Sequence, residues 1–174
     1  MKVLLAIIFF ATYTLTFAQD QSQQNWKSYN KEKYAIKYPS KWAIDTSKAM
    51  GTAFIVFAPL ESDSDKFQEN VNMLTQDLAG QNITLDDYTK ISEHQIKTAI
   101  TDGKIYESIR IKTANGEHHK IIFSGTQGAN KLKFEQFYFI KNNYAYVITL
   151  TTQADKFEQY RPTGEQILHS FIVK

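Results

Sequence analysis

Apolar side chains recur at every second position through Tyr34, Ile36 and Tyr38, and Pro39-Ser40 stops the run, which is the pattern of a strand. Residues 42–46 read as the neighbouring strand, 52–58 as a third closed by Pro59, and 71–74 as a short fourth beyond the polar loop 61–66. The period then changes. Leu85, Tyr88, Ile91, Ile96, Ala99 and Ile100 fall on one side of a helix, with Thr84 and Asp87 spaced as a capping box and Asp86 and Asp87 at the positive end of the helix dipole.

Alternation returns after Asp102-Gly103: Ile105, Ile109 and Ile111 face one way, and Lys104, Ser108, Arg110 and Lys112 the other. Asn115-Gly116 supplies a tight primed turn into a strand over 120–124, with Ser124-Gly125 ending it. Turns at 127–130 and 142–143 separate a strand over 132–140 from one over 144–150, so four strands form an antiparallel meander. The strand 132–140 is apolar on both faces and is therefore expected at the sheet centre under a helix. Asp155 to Phe171 reads as a helix interrupted or restarted at Pro162. The sum is an α+β fold: seven or eight mostly antiparallel strands in one sheet, with one helix mid-sequence and one near the end.

The first residues carry a different pattern. Lys2 precedes an apolar run from Val3 to Phe17, ending in Thr16-Phe17-Ala18 before Gln19-Asp20, which is the form of a secretory signal peptide cleaved between Ala18 and Gln19. The run is shorter than the ~20 residues a membrane-crossing helix needs. No basic stop follows it, and the absence of Cys leaves no attachment point for a lipid anchor. The expected organisation is a signal peptide over 1–18, a flexible polar leader over 19–25 and one domain over 26–174, with no transmembrane anchor after cleavage.

Composition narrows the chemistry. Twenty Lys and Arg stand against 18 Asp and Glu, a balance of +2 that gives no basic field for nucleic acid. Removal of residues 1–18 takes away one Lys and no acid. Zero Cys excludes thiolate metal sites, disulfides and cysteine nucleophiles. His118-His119 is the only histidine cluster, and adjacent strand residues point to opposite faces, so ordinary surface or edge histidines are expected rather than a metal site. Glu93-His94 lacks a second His at the zinc-protease spacing. Asp63, Asp65 and Glu69 lack the spacing of a calcium loop and read as a solvated acidic segment. No nucleophile elbow surrounds Ser124, and Gly125, Gly128 and Gly164 do not form a phosphate loop. No catalytic residue, metal or cofactor is therefore assigned.

A few residues remain as candidates. Glu107 shares the apolar face of its strand, where it is either an acid or base with a raised pKa or a carboxylate at an edge or paired with Lys or Tyr. Asn70 and Asn72 either line a groove or satisfy backbone groups at a strand end. Trp26, Tyr29 and Tyr106 are hard to place in the core, which leaves partner contact or edge packing.

The run Tyr34-Ala-Ile-Lys-Tyr-Pro-Ser-Lys-Trp42 resembles the opening of the PsbP-like superfamily, which includes bacterial domains of unknown function. Phe67-Gln-Glu-Asn-Val-Asn72, Leu85-Asp-Asp-Tyr88, Asn143-Tyr-Ala-Tyr-Val-Ile-Thr149 and the closing Ile167 to Phe171 follow in that superfamily's order. The resemblance implies an α/β/α-type sandwich around a central antiparallel sheet, and adaptor or assembly proteins that bind other proteins. Its plant members support the oxygen-evolving complex, a role that fold-level analogy does not transfer. The expectation is an exported, non-enzymatic protein-binding or assembly-helper domain, periplasmic or extracellular in a bacterium, whose partner is another envelope protein. The alternative is an envelope carrier of a small hydrophobic ligand, or an envelope enzyme.

Overall fold

The computed structural model describes residues 25–113 and 116–174. The expected signal peptide, the leader up to residue 24 and Asn115 lie outside the described residues. Asn25, the one described leader residue, is tied down: its carbonyl accepts from the Ser40 N–H at 2.6 Å.

Seven strands form the main sheet: β3 (Ala43–Asp45), β4 (Phe54–Phe57), β5 (Asn70–Asp77), β6 (Lys104–Thr113), β7 (Gly116–Gln127), β8 (Asn130–Lys141) and β9 (Tyr144–Gln153). Their spatial order is β3-β4-β5-β9-β8-β7-β6, antiparallel throughout. A separate three-stranded sheet holds β1 (Trp26–Asn30), β2 (Tyr34–Pro39) and β10 (Ile172–Val173) in the order β1-β2-β10. Two helices complete the fold, α1 (Leu85–Ala99) and α2 (Phe157–His169).

Alternation along β9 shows how the layers are built. Val147 packs with Leu85 and Ile96 of α1, whereas Ile148 and Leu150 pack with Phe157, Ile167 and Leu168 of α2. Successive side chains on a strand point to opposite faces, so the helices cover opposite faces of the main sheet. Ile36 and Tyr38 join the α2-side core, which places the small sheet on that side. The result is the expected α+β sandwich with a central antiparallel sheet.

Several expectations are corrected. Residues 34–38 and 42–46 are not neighbours in one sheet, because β2 pairs with β1 and β10 while β3 pairs with β4. Neither β1 nor β10 is anticipated by periodicity, the first because Lys27, Ser28 and Asn30 dilute its apolar content and the second because it is two residues long. The middle strand is β9, with β8 beside it. Strand β7 runs through Ser124-Gly125 to Gln127, because Gly125 leaves room for Ile100: a Cβ there would lie 2.3 Å from the Ile100 Cγ2. The meander itself is as expected, with β6, β7, β8 and β9 paired in sequence order, and with Gln127 opposite Asn130 and Lys141 opposite Tyr144 across tight hairpins.

Helix α1 carries the full capping box at Thr84 and Asp87, but Ile91 is 46% exposed and does not reach the core. Pro162 sits inside a continuous α2. It removes one helical N–H bond, and the burial of Phe157, Ile167 and Leu168 around it holds the helix together. In β6 a bulge at Tyr106 reverses the alternation. Ile105 therefore faces α1 with Phe123, while Glu107, Ile109 and Ile111 share the other face.

Candidate functional groove

The α1-facing side of the main sheet can be laid out from strand register. One row runs through Asn72, Thr149 and Gln136, and the next through Leu74, Val147 and Tyr138. Helix α1 lies over β6, β7 and β8, and the part of the face towards β5 is open, with Leu74 40% exposed. Between the helix and that open part is a groove of about 410 Å3, within the usual size range of ligand sites. Its apolar surface comes from Leu74, Ile96, Ile100, Phe123 and Val147. Its polar groups are amides and hydroxyls, chiefly Gln76, Gln95, Gln136, Tyr88 and Tyr138.

These polar groups are ordered among themselves. The Tyr88 hydroxyl donates to Gln76 Oε1 at 3.1 Å, the Tyr138 hydroxyl to Gln136 Oε1 at 2.7 Å, and Gln136 Nε2 to Thr149 Oγ1 at 3.0 Å. Burial pushes the Tyr88 and Tyr138 hydroxyls above the ordinary tyrosine range, so both are neutral donors. No Asp, Glu, Lys, Arg or His lines the groove.

Of the candidate residues, Asn70 and Asn72 share this face with Leu74. Asn70 Nδ2 donates to the Gln68 carbonyl at 3.1 Å, and Asn72 Nδ2 donates to Asn70 Oδ1 at 3.1 Å. Asn70 thus does the strand-end work, and Asn72 stands one row from the groove. The other candidates are elsewhere. Glu107 is on the opposite face, paired with Lys120 at 2.7 Å. Tyr106 is 54% exposed at the bulge, donating or accepting at Ser124 Oγ (3.1 Å), with the Lys104 and Lys133 ammonium groups over its ring. Trp26 packs at the rim of the α2-side core, and the Tyr29 ring lies 5.8 Å from Phe54. Apart from the Asn70–Asn72 pair, the six do not converge.

The histidine pair does split across the sheet, but both rings are buried rather than at the surface, His118 at 5% and His119 at 8% exposure. His118 stacks on Phe137 and Phe139. On the other face His119 Nε2 lies 2.7 Å from Ser108 Oγ, whose hydroxyl donates to Glu93 Oε1 at 2.5 Å. His119 Nδ1 is buried without a partner, and a proton there would be an unsatisfied donor. The ring proton therefore belongs on Nε2, donated to Ser108. A base for Ser108 would need a free Nε2, with the carboxylate on Nδ1, so this chain is a brace joining β7, β6 and α1. The acidic segment is also less solvated than expected: Glu69 is buried with Oε1 accepting from the Gln153 N–H, and Asp65 accepts from the Glu61 and Phe67 N–H groups. Among the described residues, no three His, Cys, Asp or Glu side chains converge to hold a metal.

Gln76, Gln136, Tyr88 and Tyr138 are missing from the sequence-derived candidates. Their signal is the period-two row Asn70, Asn72, Leu74, Gln76 on β5 and its register partners, which only the strand pairing brings together.

A seven-stranded antiparallel sheet with one helix on each face, and a groove beside one of them, defines an α+β sandwich class. The chain belongs to the PsbP-like protein family, whose pattern matches residues 13–173. No curated protein matches it. Among solved structures it is similar to the cyanobacterial PsbP of Synechocystis, with a TM-score of 0.66 and 14% identity over 86% of this chain and 93% of that one. It is also similar to a Pseudomonas aeruginosa protein of unknown function described as a putative regulator, with a TM-score of 0.62 and 12% identity over 86% and 98%. A third is LpqN of Mycobacterium tuberculosis, involved in cell envelope biogenesis, with a TM-score of 0.58 and 7% identity over 86% and 91%. At these identities the likeness is one of fold. Among the described residues no helix is long and apolar enough to cross a membrane.

Proposed function

We propose that the protein is an exported, non-enzymatic helper domain that holds an uncharged stretch of another envelope protein in the groove between α1 and the sheet. The observation that carries this reading is the lining: aliphatic and aromatic surface edged by amides, with no charged residue, in a chain that is 22% charged. An amide offers a donor and an acceptor together, which is what a peptide backbone requires, and the apolar floor accepts its side chains. The apolar run before Gln19 supports export, and the envelope role of LpqN is in keeping with it.

The test is crosslinking capture by residues 19–174 from the native cell envelope, run beside Leu74→Lys in the groove and Met50→Lys on an exposed loop. Leu74 is already partly exposed, so the fold tolerates a lysine there. Loss of the captured protein with Leu74→Lys but not with Met50→Lys is the expected result. Capture indifferent to Leu74→Lys overturns the assignment of the groove. A second reading, a carrier of a small uncharged ligand, is favoured by one further observation: a cavity of about 280 Å3 on the far side of Ile100, again without a charged lining residue. Native mass spectrometry of protein purified from the envelope distinguishes the two, by a bound small-molecule mass or its absence.

A further inference from the structure

On the face covered by α2, one carboxylate has no cation of its own. Glu135 lies in the middle of β8 between Ile122 and Leu150 on the flanking strands, fully buried, and neither carboxylate oxygen has a hydrogen-bond partner. Three cations stand on the elements packed around it, and each is engaged elsewhere. Lys120 of β7 is paired with Glu107 of β6 at 2.7 Å, and Lys133 of β8 with Glu158 of α2 at 3.2 Å. Arg161 of α2 holds Glu165 through Nη2 at 2.9 Å and reaches Glu135 only at 3.4 Å, through Nε. The histidines on this side, His118 of β7 and His169 of α2, lie 6.3 Å apart, with the His118 ring against Phe137 and Phe139.

A buried carboxylate without hydrogen bonds is far costlier as an anion than as an acid. We propose that Glu135 is folded into the protein as a carboxylic acid, and that losing its proton weakens the seating of α2 on the sheet. Burial first, and then the Glu165 charge, push the Glu135 pKa up to about 7, against the opposing pull of Arg161 and Lys120. The folded-state value lies above the ordinary carboxylate range, so the folded protein binds more protons here than the unfolded chain. The contribution is fully present below the unfolded pKa and is lost as pH rises through the folded one. The seating of α2 is thus proton-linked near neutrality, independently of what occupies the groove on the other face.

His118 responds in the opposite sense, so the test compares variants at each pH. Denaturant unfolding of the wild-type protein and of Glu135→Gln, from pH 5 to pH 8, isolates the Glu135 term. The ratio of wild-type to variant folding constants is expected to fall about 70-fold across that range for a pKa moving from 4.5 to about 7. Glu165→Gln, which removes a cause of the upward shift, should move the fall to lower pH. An infrared carboxylic-acid band present in folded wild-type protein at pH 6 and missing from Glu135→Gln is the direct readout, and it needs only one folded variant. If Glu135→Gln does not fold, the band and its loss between pH 6 and 8 in the wild type decide the matter. A pH-independent ratio, or no acid band at pH 6, overturns the proposal.

Discussion

Replacing Gly164 with Ala asks how tightly α2 is pressed onto β9. A Cβ at residue 164 would lie 2.5 Å from Leu150 Cδ2, 2.8 Å from Cδ1 and 3.0 Å from Cγ, and Leu150 is fully buried. Forcing a methyl into a packed core costs about 1–3 kcal/mol. Replacing a helical Gly with Ala returns about 1 kcal/mol. The net for Gly164→Ala is a loss of about 0–2 kcal/mol, small only because two opposing effects overlap. Leu150→Ala alone should cost about 2–5 kcal/mol through its cavity. In the double variant the new methyl enters space that Leu150 has vacated, so its strain disappears and part of the cavity is filled. The double should therefore be more stable than the sum of the singles by about 1–3 kcal/mol. Denaturant unfolding followed by tryptophan fluorescence measures this, since buried Trp42 packs against Tyr160 of α2 with ring centroids 6.4 Å apart. The measurement belongs at one fixed pH, because Leu150 is the cross-strand neighbour of Glu135. Additive effects, or a Gly164→Ala variant that gains the whole helix-propensity benefit, would refute the close packing.

Two further perturbations test other parts of the fold. His118 is held down to about 4 by burial first, and then by the nearby His169, His119 and Lys120 charges. Its folded-state pKa is depressed, so the unfolded chain binds the proton more readily, and stability is lost as pH falls from 6.5 towards 4 by up to about 3 kcal/mol. His118→Phe should remove most of that acid sensitivity in urea titrations at pH 4, 5 and 7, and an unchanged acid slope would count against a buried neutral ring. Thr84→Ala removes the side-chain cap of α1 and should lower stability by about 1 kcal/mol. A melting temperature unmoved by Thr84→Ala would show that the capping box contributes little to α1 in this setting.

Local signals carried most of the fold. The capping box of α1 and the meander turns at 127–130 and 142–143 are short-range features, and each stands where the residues place it. What failed was long-range or sub-local. The separation of β2 from β3 depends on which strand each meets, and neither alternation nor turn chemistry encodes that. The bulge at Tyr106 inserts one residue into β6, so reading period two from Lys104 to Lys112 puts Ile105 on the wrong face while leaving Glu107 correctly beside Ile109 and Ile111. Ile91 is misassigned because a helix stripe is wider than the surface that the sheet covers.

The candidate groove and the proton-linked site share a source that the sequence partly exposed. Strand β8 reads as apolar on both faces, which implies cover on both faces. A polar side chain in the middle of such a strand then lies under one layer or the other. Glu135 and Gln136 are adjacent in that strand, so they must face opposite layers. The two layers treat them differently. Towards α1, Gln136 finds Thr149 and Tyr138 and becomes part of an uncharged wall. Towards α2, Glu135 finds a guanidinium that Glu165 already holds. The amide can be satisfied by neutral neighbours and stays available to a neutral occupant, whereas the carboxylate is satisfied only by a proton. One dipeptide thus puts an uncharged amide on the α1 side of the sheet and a buried carboxyl on the α2 side. Glu135→Gln should accordingly leave capture through the groove unchanged while flattening the Glu135 contribution to the pH dependence of stability.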